Sequence, residues 1–166
     1  MSAYDQFKAW FITPLEELEQ LSINETADGR LIALMISISL FERFVKSKLH
    51  SERRNGEKFF NQEAASILGI DEARFADFWT VYRVGFMHYS QPKTSTKDGL
   101  PLYWELSDTF AEVPEYYFDP KERIWFIRID PWKWAKRTFR LWESRPDLVD
   151  QLKSFPMGTT RIVIGG

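Results

Sequence analysis

The segment from Arg30 to about Ser51 constrains the fold of this chain more than any other part of the sequence. It carries two neighbouring apolar stripes at helical spacing. The first consists of Leu31, Leu34, Met35, Ile38, Phe41, Val45 and Leu49, and the second of Ile32, Ile36, Leu40 and Phe44. A surface helix buries one apolar stripe, whereas two stripes require packing partners on two sides. The sequence therefore predicts a long helix at the centre of a bundle.

Capping signals place the other helices of the first half. The run from Thr13 to Glu16 resembles a capping box with proline at the first helical position, which predicts a short helix ending near Leu21. Thr26 or Asp28 is expected to cap the long helix.

The next two helices have their own boundary signals. A short helix is predicted to begin at Asn61 or Gln62 and to end at Gly69. Asp71 is the predicted N-cap of a helix that reaches His88, with aromatic residues along its apolar face.

The second half of the chain changes character. Residues 92–101 are polar and loop-like, 103–106 could form a short strand, and 115–129 are typical of a β-hairpin. Asp130-Pro131 opens a helix with an apolar stripe of Trp132, Ala135, Phe139 and Trp142, and Trp134 lies outside that stripe. Arg145-Pro146 interrupts this helix, and Asp147 could cap a last turn. The tail at 161–164 could add an edge strand.

These patterns predict a mainly α fold, an up-and-down helical bundle with a small β-hairpin insertion before the C-terminal helix. The chain is expected to form a single domain over residues 1–166. Within it, residues 13–92 form the helical bundle, residues 93–130 the loop and hairpin insertion, and residues 131–155 the C-terminal helices.

Composition excludes several classes of protein. Of the 166 residues, 44% are hydrophobic and 16% aromatic, which excludes disorder. A net charge of −2 means that any contact with nucleic acid must come from local basic patches. The chain has no cysteine and only two histidines, so no thiolate site, metal centre or cofactor is expected. No signal peptide or membrane span is recognisable, which predicts a cytoplasmic protein.

Arg83 and His88 are the one pair of residues whose chemistry suggests a specific function. His88 falls where the predicted helix ends and a Gln-Pro-Lys loop begins. A histidine in a last helical turn lies beside unpaired carbonyls, which favours its protonated form and suits proton transfer. Arg83 lies five residues earlier, at a rise of about 7.5 Å on an ideal helix. Two long side chains at this spacing can still converge on one phosphate.

This arrangement resembles the HEPN superfamily (higher eukaryotes and prokaryotes nucleotide-binding). The family's pattern is an arginine followed four to six residues later by a histidine, and Arg83 and His88 match it with four residues between them. The resemblance covers residues 28–92. It implies a helical bundle and a homodimer in which two copies of the motif share a cleft. It also implies metal-independent RNA cleavage, typically by a toxin or an antiviral-defence effector with a cognate partner such as an antitoxin.

The chemistry of the two side chains agrees with that implication. An imidazole can act as base or acid, and a guanidinium can bind two phosphate oxygens and stabilise a phosphorane. One protomer supplies a single pair, whereas a two-fold dimer supplies both a base and an acid.

Other residues are candidate supports for this site. Glu42 could pair with Arg83 and orient it, or be an exposed charge. The other supporting candidates are Ser90 and Gln91, which lie beside the motif. The candidate RNA contacts are Lys93, Lys97, Arg53 and Arg54. His50 is interpreted as a surface residue of a basic helix end.

Two alternatives to catalysis remain open. The first is a catalytically inactive HEPN-like dimeric module that binds a nucleotide or a protein, which Val84 and Ser90 favour because many members differ at these positions. The second is an unrelated helical interaction protein in which the motif is accidental and the high aromatic content marks a partner surface.

Overall fold

The computed structural model describes residues 2–24, 28–54 and 56–151. These form a mainly helical protein with a small four-stranded sheet. The helices are α1 (Ala3–Phe7), α2 (Thr13–Ile23), α3 (Arg30–Ser51), α4 (Glu57–Leu68), α5 (Glu72–Phe78), α6 (Gly85–Tyr89), α7 (Pro131–Ser144) and α8 (Pro146–Gln151). The strands are β1 (Ser95–Lys97), β2 (Leu100–Leu106), β3 (Glu115–Asp119) and β4 (Ile124–Ile129). Two π-helical segments, Lys8–Ile12 and Trp79–Val84, join α1 to α2 and α5 to α6.

Helix α3 is the central element, with the predicted bounds. Its first stripe, from Leu34 to Leu49, packs into a core shared with α4, α5, α6 and the sheet. Its second side, with Leu40 and Phe44, packs into another core formed with α1, α2, α7 and α8. The prediction that this helix has partners on two sides is confirmed.

The first turns of α3 depart from that prediction. Leu31, Ile32 and Met35 are exposed, with 47% of Ile32 open to solvent. In the same region, Gly29 takes the N-cap position without a side-chain cap, although Asp28 accepts a hydrogen bond from the backbone N–H of Arg30. Thr26, the other predicted cap, lies outside the described residues.

The capping box predicted at Thr13 is wrong, although α2 begins at that residue and has Pro14 in its first turn. Thr13 has helical backbone angles, and one continuous helix runs from Ala3 to Ile23 with its capping box at Ser2 and Asp5. Pro14 cannot donate a backbone hydrogen bond, and its ring crowds the preceding turn of an α-helix. The π-helical turn before it, in which the N–H of Thr13 bonds to the carbonyl of Lys8, gives the ring room.

Helices α4 and α5 follow their predicted boundaries in part. Helix α4 begins at Glu57, earlier than Asn61 or Gln62, and ends as predicted at Gly69, whose φ of +69° is left-handed. Asp71 caps α5 as predicted, since its side chain accepts from the backbone N–H of Arg74 at 2.8 Å.

The insertion is larger than the predicted hairpin. Strands β3 and β4 form that hairpin, but β4 also pairs in parallel with β2, and β2 pairs with β1 to give the order β1-β2-β4-β3. The segment predicted as loop from 92 to 101 therefore contains β1 and the start of β2. One sheet face carries Leu102, Ile127 and Ile129, which are buried against the helices.

Helix α7 is buried on more sides than its stripe indicates. Asp130 caps it, and Trp132, Ala135, Phe139 and Trp142 are buried as predicted. Trp134, expected outside the stripe, is fully buried because its ring packs between Phe41 of α3 and Phe78 of α5. Arg145 ends the helix as predicted, whereas Asp147 pairs with Arg145 within the first turn of α8. The predicted tail strand lies outside the described residues.

Candidate functional site

The motif lies on one continuous helix with a π-helical middle. The chain runs without a break from α5 through Trp79–Val84 into α6, so Arg83 lies at the end of the wide turn and His88 in the last turn. Phe75, Phe78 and Tyr82 are fully buried along its inner face. The Tyr82 hydroxyl donates to the carbonyl of Ile127 at 2.9 Å and so ties this helix to the sheet. The residue before Arg83 is thereby fixed in the core.

Arg83 is held by a carboxylate of the central helix. Its Nε donates to Oε2 of Glu42 at 2.6 Å, and Oε1 of Glu42 accepts from Nζ of Lys46 at 2.5 Å. Burial alone would raise the pKa of Glu42, but the hydrogen bonds from Arg83 and Lys46 outweigh it and hold that pKa below its usual value. The carboxylate is therefore charged at neutral pH, and two cations share it.

The free end of the guanidinium is available to a ligand. Among the described residues, Glu42 is the hydrogen-bonding partner of Arg83, and it engages Nε alone. The Arg83 Cζ atom lies 5.9 Å from the centre of the Trp79 ring, and 23% of the side chain is exposed. The two terminal nitrogens are the part of a guanidinium that binds phosphate in a forked geometry.

Gly85 fixes the segment that follows the motif. The backbone N–H of Lys93 donates to the carbonyl of Val81 at 2.9 Å, so the chain returns across the helix after Tyr89. A Cβ on Gly85 would lie 2.6 Å from the Lys93 nitrogen and 2.7 Å from the Gln91 carbonyl oxygen. These are backbone atoms, so this close approach requires glycine.

His88 lies at the exposed end of this helix. Its ring contacts that of Tyr89 at 6.3 Å between centroids, and within the part of the chain that the structure describes it forms neither a hydrogen bond nor an ion pair. Ser90 caps the helix with a left-handed φ of +57°, and both Ser90 and Gln91 are exposed. The imidazole is accessible to a substrate or to a second subunit.

A groove of about 610 Å³ adjoins the Arg83–Glu42 pair. Three α3 side chains, Glu42, Lys46 and His50, lie along it at intervals of four residues, which places them on one face of the helix. Its other lining residues are Leu49, Arg54, Gly56, Phe60 and Trp79. Positive side chains and aromatic rings therefore border one cavity.

The predicted RNA contacts are spread over different parts of the fold. Arg54 lines the groove but is bonded to Glu63 at 3.0 Å, and Arg53 is exposed in a left-handed turn. The backbone of Lys93 joins the motif helix at Val81. The Lys97 ammonium lies 4.2 Å from the centre of the Tyr116 ring, on the edge of the sheet. Lys97 is therefore engaged by the sheet, and Arg54 is the candidate that reaches the groove.

Sequence reasoning missed most of the groove. In the sequence, His50 is interpreted as a surface residue, and no local motif singles out Lys46 or Trp79 as a site residue. The four-residue spacing of Glu42, Lys46 and His50 is visible in the sequence and could have indicated a shared face. The contribution of Trp79 depends on how the π-helical segment Trp79–Val84 packs against α3, which no local pattern gives.

No family model, no curated protein and no solved structure matches this chain. Across residues 2–24, 28–54 and 56–151, no helix has the length and apolar character needed to cross a membrane. The same residues contain no cluster of three His, Asp or Glu side chains placed to hold a metal ion.

Proposed function

We propose that this chain is a metal-independent endoribonuclease of HEPN type that acts as a homodimer in the cytoplasm, with Arg83 and His88 as its catalytic pair. The observation that carries the proposal is the state of Arg83. Glu42 holds its Nε at 2.6 Å while the terminal nitrogens have no partner among the described residues. A cation fixed at one end and open at the other is suited to bind a phosphate.

In the proposed reaction, an imidazole removes the proton of an RNA 2′-hydroxyl, and the 2′-oxygen attacks the adjacent phosphorus. The bond from phosphorus to the 5′-oxygen breaks, and a second, protonated imidazole gives the leaving oxygen its proton. Arg83 stabilises the extra negative charge of the phosphorane. The products are a 2′,3′-cyclic phosphate and a free 5′-hydroxyl.

A dimer supplies the second imidazole. His88 is exposed, and among the described residues its ring contacts only that of Tyr89, so a symmetry-related copy has access to it. Exposed apolar side chains that a second subunit could cover are present: Leu31, Ile32 and Met35 on α3, and Met87, one turn beyond Arg83. A toxin or antiviral-defence role with a cognate antitoxin follows from the same resemblance.

The test is cleavage of single-stranded RNA in the presence of EDTA by the wild-type protein, Arg83→Ala and His88→Ala. The proposal expects chelator-resistant cleavage that leaves cyclic phosphate ends and is lost in both variants. Cleavage by the wild type that persists in both variants, or that EDTA abolishes, would refute it. Lys121→Ala, which removes an exposed cation of the β3–β4 turn, is the matched control and should cleave as the wild type does.

A catalytically inactive dimeric binding module is the second candidate. Its support is that Arg83 bonds to Glu42 and not to His88, which lies at the helix end. This candidate expects intact RNA together with a stable dimer. The third reading, an unrelated helical interaction protein, expects intact RNA and a monomer.

A further inference from the structure

We infer that the groove along α3 binds a single strand of RNA and leads it to Arg83, with a base against Trp79 and a phosphate beside Lys46 and His50. The inference deepens the proposed function and rests on RNA being the substrate. It assigns a ligand to a cavity that lies outside the Arg83–His88 motif.

The position of the groove supports this assignment. Glu42 and Trp79 line the groove, and each also contacts Arg83, through a hydrogen bond at 2.6 Å and a ring contact at 5.9 Å. The row from Glu42 to His50 spans eight residue steps, a rise of about 12 Å on an α-helix. A strand lying along this row therefore reaches Glu42, the hydrogen-bonding partner of Arg83.

The charge of the groove differs between its two halves. At the Arg83 end, two cations share the single carboxylate of Glu42, which leaves one net positive charge. At the other end, Lys48 and Arg54 face Glu63 and Glu52, so those charges balance. His50, eight residues after Glu42 on α3, is exposed. A phosphate is thus favoured near Lys46, next to Arg83.

The aromatic wall provides a stacking surface. Trp79 is half-buried, and its ring is held by Phe60, tilted at 5.1 Å, and by Phe75, stacked at 5.3 Å between centroids. A supported ring at the edge of a basic groove is the usual platform for bases of single-stranded nucleic acid, and it tolerates any base. Stacking on Trp79 would place the neighbouring phosphate beside the cations.

The experiment measures binding of a fluorescent 2′-O-methyl oligonucleotide, which lacks the attacking hydroxyl and cannot be cleaved. Lys46→Ala combined with His50→Ala should weaken binding about tenfold. The slope of the logarithm of the binding constant against the logarithm of the salt concentration should become shallower by about 0.7 for each lost phosphate contact. The matched control is Lys8→Ala combined with Lys121→Ala, two exposed cations outside the groove. Unchanged affinity in the groove variant, or equal weakening in both, would overturn the inference.

Two further ligands test the class of molecule bound. An oligonucleotide with abasic positions should bind about tenfold more weakly if bases stack on Trp79, and equal affinity would overturn the stacking assignment. Adenosine monophosphate at millimolar concentration should not displace the strand, whereas displacement at micromolar concentration would identify a nucleotide pocket and overturn the strand assignment. The probe is not cleaved, so its binding is measured independently of catalysis. Retained binding of the probe without cleavage of ordinary RNA would reject the proposed catalytic function and still support RNA binding in the groove.

Discussion

The Nε atom of Arg83 donates a 2.6 Å hydrogen bond to Oε2 of Glu42, 41 residues earlier in the chain, so the central helix orients the arginine of the motif. Both side chains are largely buried, with 23% of Arg83 and 16% of Glu42 exposed. Glu42 touches no substrate in the proposed reaction, and it therefore acts as a positioning residue.

Glu42→Gln is expected to lower the rate of RNA cleavage about tenfold, because a misplaced guanidinium loses part of its stabilisation of the transition state. The loss should appear in kcat more than in KM, since a neutral partner leaves the positive charge that attracts RNA. Steady-state kinetics on a short labelled RNA measure both constants.

The matched control is Glu122→Gln, which removes an exposed carboxylate of the β3–β4 turn and should leave both constants unchanged. A fall in thermal stability of Glu42→Gln with unchanged kcat would show that the pair only supports the fold.

Gly85→Ala is expected to disturb the end of the motif. The added Cβ would meet backbone atoms of Lys93, Gln91 and Pro92 at 2.6–2.9 Å, and backbone can move only with the whole segment. We expect a loss of about 2 kcal/mol in the free energy of unfolding, which is a fall of about 4–8 °C in the melting temperature for a chain of this size. Cleavage should fall as well, because His88 lies between Gly85 and the displaced segment.

Gly69→Ala is the matched glycine control. Its φ of +69° makes alanine unfavourable, but no atom lies within 4 Å of the added Cβ. It should cost about 1 kcal/mol of stability and leave cleavage unchanged. Equal effects of the two substitutions on cleavage would contradict the packing argument at Gly85.

The sequence predicted those parts of the fold that depend on one element at a time. The bounds of α3, the Asp71 and Asp130 caps and the Gly69 end follow from local periodicity and capping chemistry. Thr13 shows the limit of such rules, because the local capping pattern is present but the preceding residues continue the helix through a π-turn.

Features that depend on distant partners could not be predicted. The parallel pairing of β2 with β4 places Leu102 beside Trp125, although β3 lies between these two strands in the sequence. No hairpin signal marks this pairing. Trp134 has no place in the main stripe of α7, and its burial depends on where Phe41 and Phe78 lie. For Glu42 the sequence allows two interpretations, a partner of Arg83 or an exposed charge, and only the packing of the Trp79–Val84 segment on α3 decides between them.

Tyr82→Phe should loosen the contact between the motif helix and the sheet. The hydroxyl donates to the Ile127 carbonyl at 2.9 Å in a fully buried position, so its removal leaves that interaction unmade. We expect a loss of about 1 kcal/mol, or about 2–4 °C in the melting temperature. Tyr103→Phe, on a side chain that is 38% exposed, is the control and should change the melting temperature by less than about 1 °C. Equal melting temperatures for wild type and Tyr82→Phe would argue against this hydrogen bond as a support of the sheet.

Stability in acid should depend on Glu63, which joins the end of α3 to α4. Burial raises the pKa of this carboxyl, but hydrogen bonds from Lys48 and Arg54 outweigh burial and hold the pKa below its usual value. A carboxyl whose pKa is lower in the folded state stabilises the fold above its unfolded pKa, about 4.3, and loses that contribution as the pH falls through its folded pKa. Glu63→Gln should therefore cost about 1 kcal/mol at pH 7, a value kept low because Lys48 and Arg54 are partly exposed.

The measurement is urea unfolding of wild type and Glu63→Gln at several pH values between 7 and 3. The difference in the free energy of unfolding should be largest at neutral pH and shrink once the pH falls below about 4.3, because protonation removes the same charge from the wild type. Glu122→Gln, in an exposed turn, should track the wild type more closely throughout. If the difference in the free energy of unfolding between wild type and Glu63→Gln stays constant from pH 7 to pH 3, Glu63 contributes through packing and not through its charge.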